Sequence, residues 1–147
     1  MLNYKKATSA DARQIADLMI KLHKEDTVEE LLETAERVIK NDVCFAACES
    51  EKIIAYIYGT IRRDYVEGSE QRENSKVGYI ESLYVLPIYR RQGVARELCS
   101  MLETWAKANG APEFASDAFA ANKQSRAFHK AIGFTESKPI VHFTKKI

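Results

Sequence analysis

The sequence predicts a single α/β domain over residues 1–147, with a mixed sheet of about seven strands flanked by four helices. Three observations carry that expectation. The first is the stretch from Tyr79 to Ala95, which begins as an apolar, β-branched and aromatic run and so reads as a buried strand. Pro87 has no N–H to give a ladder and ends it. A turn bearing Gly93 then leads into Val94, Leu98, Met101, Leu102 and Trp105 at helical spacing. The second is element order: a strand and two helices, a pair of strands, two strand–helix units, and two last strands. That order confines parallel pairing to the middle of the sheet. The third is bulk. At 147 residues, 46% of them apolar and 29% charged, the chain is long enough to bury one real core.

Asn3 to Ala7 supplies the first strand, and Thr8, Ser9 and Asp11 supply N-cap candidates behind it. Ala12, Ile15, Ala16, Leu18, Met19 and Leu22 mark an amphipathic helix ending near His23 and Lys24. Asp26 and Thr27 cap a second helix whose first turn holds Glu29 and Glu30, favourable for the dipole. Asn41 and Asp42 make the next turn. Val43 to Glu49 and Ile53 to Arg63 form an antiparallel hairpin, and Gly59 inside it marks a candidate bulge. The polar segment from Asp64 to Lys76 is a loop. Asn109 and Gly110 stop the third helix; Pro112 to Ala118 holds a short strand, and Asn122 to Ala131 the fourth helix. Phe134–Glu136 and Ile140–Lys145 are the last two strands, with an irregular connection at Pro139.

A formal net charge of +1 leaves no overall field for nucleic acid or membranes. No apolar run approaches membrane-spanning length, and the first residues lack a signal-peptide apolar region, so a cytoplasmic protein is expected. Cys44, Cys48 and Cys99 have no metal spacing. Cys44 and Cys48 would sit roughly 13 Å apart along one strand, too far for a disulfide, and all three read as small core residues. No metal is expected.

A strand feeding a helix through a Gly-bearing turn aims free backbone N–H groups and the positive end of the helix dipole at one place, a seat for phosphate. The candidates are Arg90, Arg91, Gln92, Gly93, Val94, Ala95 and Arg96. A plain turn with solvated arginines is the alternative that these residues alone leave open.

Arg90-x-x-Gly93-x-Ala95 resembles the Q/R-x-x-G-x-G/A signature of the GCN5-related N-acetyltransferase superfamily, in the required strand-to-helix setting. Asn122, Ala127, His129 and the pair Gly133-Phe134 resemble that family's later Asn…Ala…Tyr…Gly-Phe run. Ile61 to Gly68, Tyr84 to Pro87, Phe114 to Ala118 and Lys145-Lys146 look like aminoglycoside 6′-N-acetyltransferases. The chain departs from them at Leu22-His23-Lys24, in its near-neutral charge, and at Lys138, where another acid is expected.

The resemblance implies acetyl-CoA as cofactor, a small-molecule amine as acceptor and a homodimer. It implies a splay between the two middle parallel strands, where the thioester enters. Coenzyme A pyrophosphate would lie on Arg91 to Ala95, and the pantetheine arm on backbone groups of Leu83, Tyr84 and Val85 and on Asn122. A helix N-cap is the other role open to Asn122. Glu81, an acid within an apolar strand, is implied as base or amine-orienting group; an outward-facing or ion-paired Glu is the alternative. Asp117 is the second acid. His129 stands where the family places a Tyr that protonates the thiolate, and an imidazole can serve there; it could equally be a surface histidine. Tyr65, Glu136 and the acids Asp64, Glu67, Glu70 and Glu73 are candidate substrate contacts. Other acceptors, a polyamine or a peptide N-terminus, and a non-catalytic acetyl-CoA-binding module remain alternatives.

Overall fold

A computed structural model describes residues 1–64, 66–70 and 75–147. Tyr65 and Glu73, both named above, lie outside the described residues. The elements run β1 (Leu2–Lys6), α1 (Ala12–Leu22), α2 (Val28–Asn41), β2 (Val43–Glu49), β3 (Lys52–Arg62), β4 (Val77–Val85), α3 (Val94–Ala108), β5 (Glu113–Ala115) and α4 (Lys123–Ala131). The strands form one sheet in the order β1-β2-β3-β4-β5, antiparallel except for the parallel pair β4·β5.

The expected architecture holds, with parallel pairing confined to β4·β5. The sheet, however, has five strands among the described residues, and neither Phe134–Glu136 nor Ile140–Lys145 joins a ladder. The reason is local. Beyond Ala115 the chain has already left the ladder, so β5 offers an edge of three residues, and Pro139 has no N–H to donate.

Two apolar layers sandwich the sheet. On one face α1 and α2 pack Ile15, Met19, Leu31 and Val38 against Cys44, Ala46 and Tyr56. On the other, α3 packs Val94, Leu98, Cys99 and Leu102 against Val43, Ile57, Ile80 and Val85. All three cysteines are free and buried, as small core residues. Asp11 ties the end of β1 to the start of α1. It accepts from Lys5 Nζ at 2.7 Å and from the Thr8 N–H at 2.8 Å.

One irregularity positions the site. Gly59 pairs with Ile80 and Tyr58 with Ser82, so Glu81 is an extra residue in β4, a β-bulge. Before the bulge Gly78 and Ile80 face α3; after it Leu83 and Val85 do. Glu81 and Ser82 both fall on the α1/α2 face, with Tyr79 before them and Tyr84 after. Gly59 is obligatory opposite the bulge. A Cβ there would lie 2.6 Å from Leu102 Cδ2 and 2.6 Å from the Tyr79 carbonyl oxygen. Behind Glu81, Ser82 Oγ lies 2.7 Å from Tyr56 Oη and 3.5 Å from His23 Nε2, pinning the end of α1 to the strand.

Gly59→Ala should therefore destabilise the protein by about 1–3 kcal/mol through overpacking, because the Tyr79 carbonyl is backbone and cannot yield. A lowered chemical-denaturation midpoint measures it; an unchanged midpoint would show that the bulge tolerates a side chain.

Candidate active site

The candidate phosphate seat is the turn between β4 and α3. Pro87–Tyr89 makes a 3-10 turn, closed by Tyr89 N–H to Leu86 O at 2.9 Å. Arg91 then adopts φ +61° and Gly93 φ +82°, both left-handed. For Arg91 that conformation is sterically costly, and such strain concentrates where backbone groups are aimed at something. The first intrahelical bond of α3 runs from Glu97 N–H to Gly93 O at 3.0 Å. The N–H groups of Val94, Ala95 and Arg96 precede it and have no intrahelical acceptor. A Cβ on Gly93 would meet nothing within 4 Å, so an open cup faces these donors. The residues present fit a diphosphate, with the dipole adding to the donors.

The arginines divide their work. Arg90 turns back from the seat: its Nε donates to Val85 O at 2.8 Å and its guanidinium lies 5.4 Å from the Tyr84 ring centroid. Gln92 Nε2 donates to Ile88 O at 3.1 Å, bracing the turn. Arg96 reaches Ala131 O at 3.5 Å, beside the end of α4.

β4 and β5 pair only at Val77↔Glu113, Gly78↔Phe114 and Tyr79↔Ala115. From Ile80 onward β4 has no ladder partner on that side among the described residues, which is the expected splay. The Leu86 N–H donates to Ile54 O at 3.0 Å, so Leu86 faces β3. Backbone groups alternate along an antiparallel strand. Tyr84 therefore also faces β3, while Leu83 and Val85 face the splay, as the Arg90 contact with Val85 O agrees. Of the three residues expected to offer backbone to a pantetheine arm, two are so aimed; Tyr84 presents its ring to the α1/α2 face instead.

On that face lies a charged network. Arg62 grips Glu81 with two hydrogen bonds of 2.9 Å, and Thr60 Oγ1 donates to Glu81 at 3.0 Å. The Arg62 guanidinium also stacks 3.5 Å from the Tyr79 ring centroid. Tyr79 Oη donates to Asp117 Oδ2 at 2.5 Å. Burial and the Asp117 carboxylate push the Tyr79 phenol far up, which keeps it a donor. Glu81 and Asp117 are thus joined through Arg62 and Tyr79. Asp42, at the end of α2, has its carboxyl raised by burial; Arg37 opposes the rise and Glu81 adds to it.

His129 bridges α4 to the end of β5. Its Nδ1 lies 2.7 Å from Ser125 O, which can only accept, so Nδ1 carries a proton. Nε2 lies 2.8 Å from Ser116 Oγ, and the ring packs on Phe134 with centroids 5.3 Å apart. Asn122 caps α4, its Oδ1 accepting from Ser125 N–H at 3.0 Å; the amide NH2 is not spent on that bond. Glu136 is engaged by Arg126 at 2.5 Å and Lys130 at 3.6 Å, and does not join the Glu81 network. Thr60, Arg62, Tyr79 and Ser116 are the candidate-site residues that sequence reasoning missed. Thr60/Arg62 and Tyr79/Glu81 are i, i+2 pairs on adjacent strands, and only the register brings them together.

The model of the acetyltransferase (GNAT) family matches residues 13–134. An aminoglycoside N(6′)-acetyltransferase type 1 from Acinetobacter haemolyticus is 37% identical over 147 residues, 99% of each chain. One from Stenotrophomonas maltophilia is 34% identical over 142 residues, covering 95% of this chain and 90% of the relative. Among solved structures, AAC(6′)-Iy in complex with the bisubstrate analogue CoA-S-monomethyl-acetylneamine superposes with a TM-score of 0.92 at 26% identity, over 100% of this chain and 99% of that one. The apo 6′-N-acetyltransferase AAC(6′)-IG from Acinetobacter haemolyticus superposes at 0.86 with 36% identity, over 99% of each chain.

Two outcomes are expected. Gly93→Glu places a carboxylate in the open cup, and calorimetry should record at least about a tenfold loss of coenzyme A affinity with an unchanged circular dichroism spectrum. Asp42→Asn should raise the melting temperature near neutral pH. Because the native carboxyl is raised, its charged form costs stability above the ordinary carboxylate range; below it the group is protonated whether folded or unfolded. The gain should vanish in acid, as melts at pH 7 and pH 3 would record.

Proposed function

The chain belongs to the acetyltransferase (GNAT) family, and we propose that it acetylates the 6′-amine of an aminoglycoside, as one domain over residues 1–147 in the cytoplasm. The observation that carries the acceptor is the network in which Arg62 and Tyr79 join Glu81 and Asp117 on the sheet face beside the splay. Two linked carboxylates suit an acceptor with several amines, and the relatives named above are aminoglycoside N(6′)-acetyltransferases.

Acetyl-CoA, when bound, supplies an acetyl group activated as a thioester. The N–H groups of Val94, Ala95 and Arg96 hold its diphosphate, and Arg91 adds charge. Leu83 and Val85 receive the extended arm as an added strand would be received, and the Asn122 amide is placed to help. Glu81 orients the amine and takes its proton. In the free protein the Arg62 guanidinium already sits on that carboxylate. An ammonium arriving there shares that carboxylate with Arg62, which the Tyr79 ring also holds. Asp117, held by Tyr79, binds a further amine. His129 keeps its Nδ1 proton on Ser125 O and directs Nε2 at Ser116, where a proton can be held. All three cysteines are buried, so no thiol is placed to take the acetyl first, and transfer is direct. The reading includes a homodimer, supported by exposed apolar side chains at 140–147.

Thiol release from acetyl-CoA should appear with kanamycin or tobramycin and stay at background with spermidine or a peptide amine. Turnover only with the latter two would overturn the acceptor. Glu81→Gln should lower kcat/KM by roughly 10²–10⁴ with coenzyme A affinity intact; full turnover would remove Glu81 from the proton transfer.

A further inference from the structure

The ladder between β4 and β5 ends at the pair Tyr79↔Ala115. Ser116 is therefore the first residue on the β5 side of the splay, at its closed end. Its side chain turns toward α4, with Oγ 2.8 Å from His129 Nε2. The His129 ring packs on Phe134 and Phe134 on Phe114, which belongs to the α3 layer. Ser116 thus stands on the opposite face of the sheet from Glu81 and from the Tyr79–Asp117 pair.

The bonds on the imidazole fix what it can do. Nδ1 is held by Ser125 O at 2.7 Å, an acceptor only, so the proton of the neutral ring sits on Nδ1 and Nε2 accepts from the Ser116 hydroxyl. In the imidazolium the direction reverses. Nε2–H then donates to Ser116 Oγ, and the hydroxyl hydrogen is freed to point away from the ring. Nε2 is covered by that oxygen, so a proton leaving the ring toward the splay passes through the hydroxyl. The other hydroxyls around the closed end are engaged elsewhere: Tyr79 Oη with Asp117, Ser82 Oγ with Tyr56 Oη and Thr60 Oγ1 with Glu81.

The diphosphate seat lies beyond the far end of β4. An arm running back past Val85 and Leu83 brings the thioester to the closed end, beside Ser116. We propose that Ser116 is a catalytic residue, the hydroxyl that hands the leaving sulfur its proton, with His129 as the source behind it. The amine nitrogen bonds to the acetyl carbon, the carbon–sulfur bond breaks, and sulfur keeps the electron pair. Ser116 Oγ–H gives that sulfur its proton and takes the Nε2 proton of the imidazolium. His129 is left neutral, its Nδ1 proton still on Ser125 O. Glu81 takes the proton of the amine and returns it to water, and His129 takes one back from water, so the cycle is balanced. Histidine can carry this second proton near neutral pH. The base for the nucleophile and the acid for the leaving group approach the splay from opposite faces. The inference rests on the acetyl-transfer reading above and adds its last proton donor.

Two measurements test it. The first needs no turnover. Nitrogen NMR of the His129 ring should show a clearly larger change at Nε2 with coenzyme A than with desulfo-coenzyme A, which lacks the sulfur. Equal responses would overturn the contact. The second is single-turnover acetyl transfer to kanamycin. Ser116→Ala and His129→Gln should each slow it by roughly 10²-fold, with circular dichroism and coenzyme A affinity kept. Ser116→Thr retains a hydroxyl and should stay close to the wild type. The double variant Ser116→Ala/His129→Gln should be no slower than the slower single one, because the two side chains act as a unit. Ser116→Ala at the wild-type rate, Ser116→Thr as slow as Ser116→Ala, or a double variant that multiplies the two losses would each overturn the relay. If the wild type acetylates spermidine and not kanamycin, the aminoglycoside reading falls, and the same comparison with spermidine decides the role of Ser116.

Discussion

The placement of the candidate acid in this fold follows from one inserted residue. The bulge at Glu81 changes the side-chain parity of β4, so the strand feeds the α3 layer on both sides of it yet turns a carboxylate toward the opposite face. Without that shift Glu81 would either sit among Ile80, Leu83 and Val85 or displace them from the core. The bulge depends in turn on Gly59, whose missing side chain lets Leu102 and the Tyr79 carbonyl approach. A packing contact on the α3 side thus fixes the position of an acid on the other.

In the proposed reading the same strand divides cofactor from acceptor. Its backbone edge past Ile80 is left bare by the early end of β5 and points Leu83 and Val85 into the gap. Its side-chain face carries Tyr79 and Glu81. Two ligands can therefore approach one strand from perpendicular directions, one along its edge and one across its face. That is the geometry a direct transfer between them needs.

How much of this could be read in advance depended on sequence range. The turn from Pro87 to Ala95 was legible because a breaker, a glycine and a helical period all lie within a few residues. Glu81 stood out as a lone acid in an apolar run. The role of Arg62 could not be seen, since it is 19 residues from Glu81 and meets it only through the β3–β4 register. His129 needed Ser116, on another element, to reveal a ring fixed at both nitrogens. The last two strands misled for a related reason: their composition suits a ladder, and among the described residues neither joins one.

The three buried cysteines carry a consequence for how the protein survives its own chemistry. Burial pushes the thiols of Cys44 and Cys99 up to about 12 and raises that of Cys48. Thiolate is the form that attacks a disulfide. Each turnover leaves behind a coenzyme with a free sulfhydryl, which in oxidising conditions seeks a protein thiol for a mixed disulfide. This chain offers it none at the surface. Accumulating product, or the oxidised coenzyme formed from it, leaves the protein chemically unmarked.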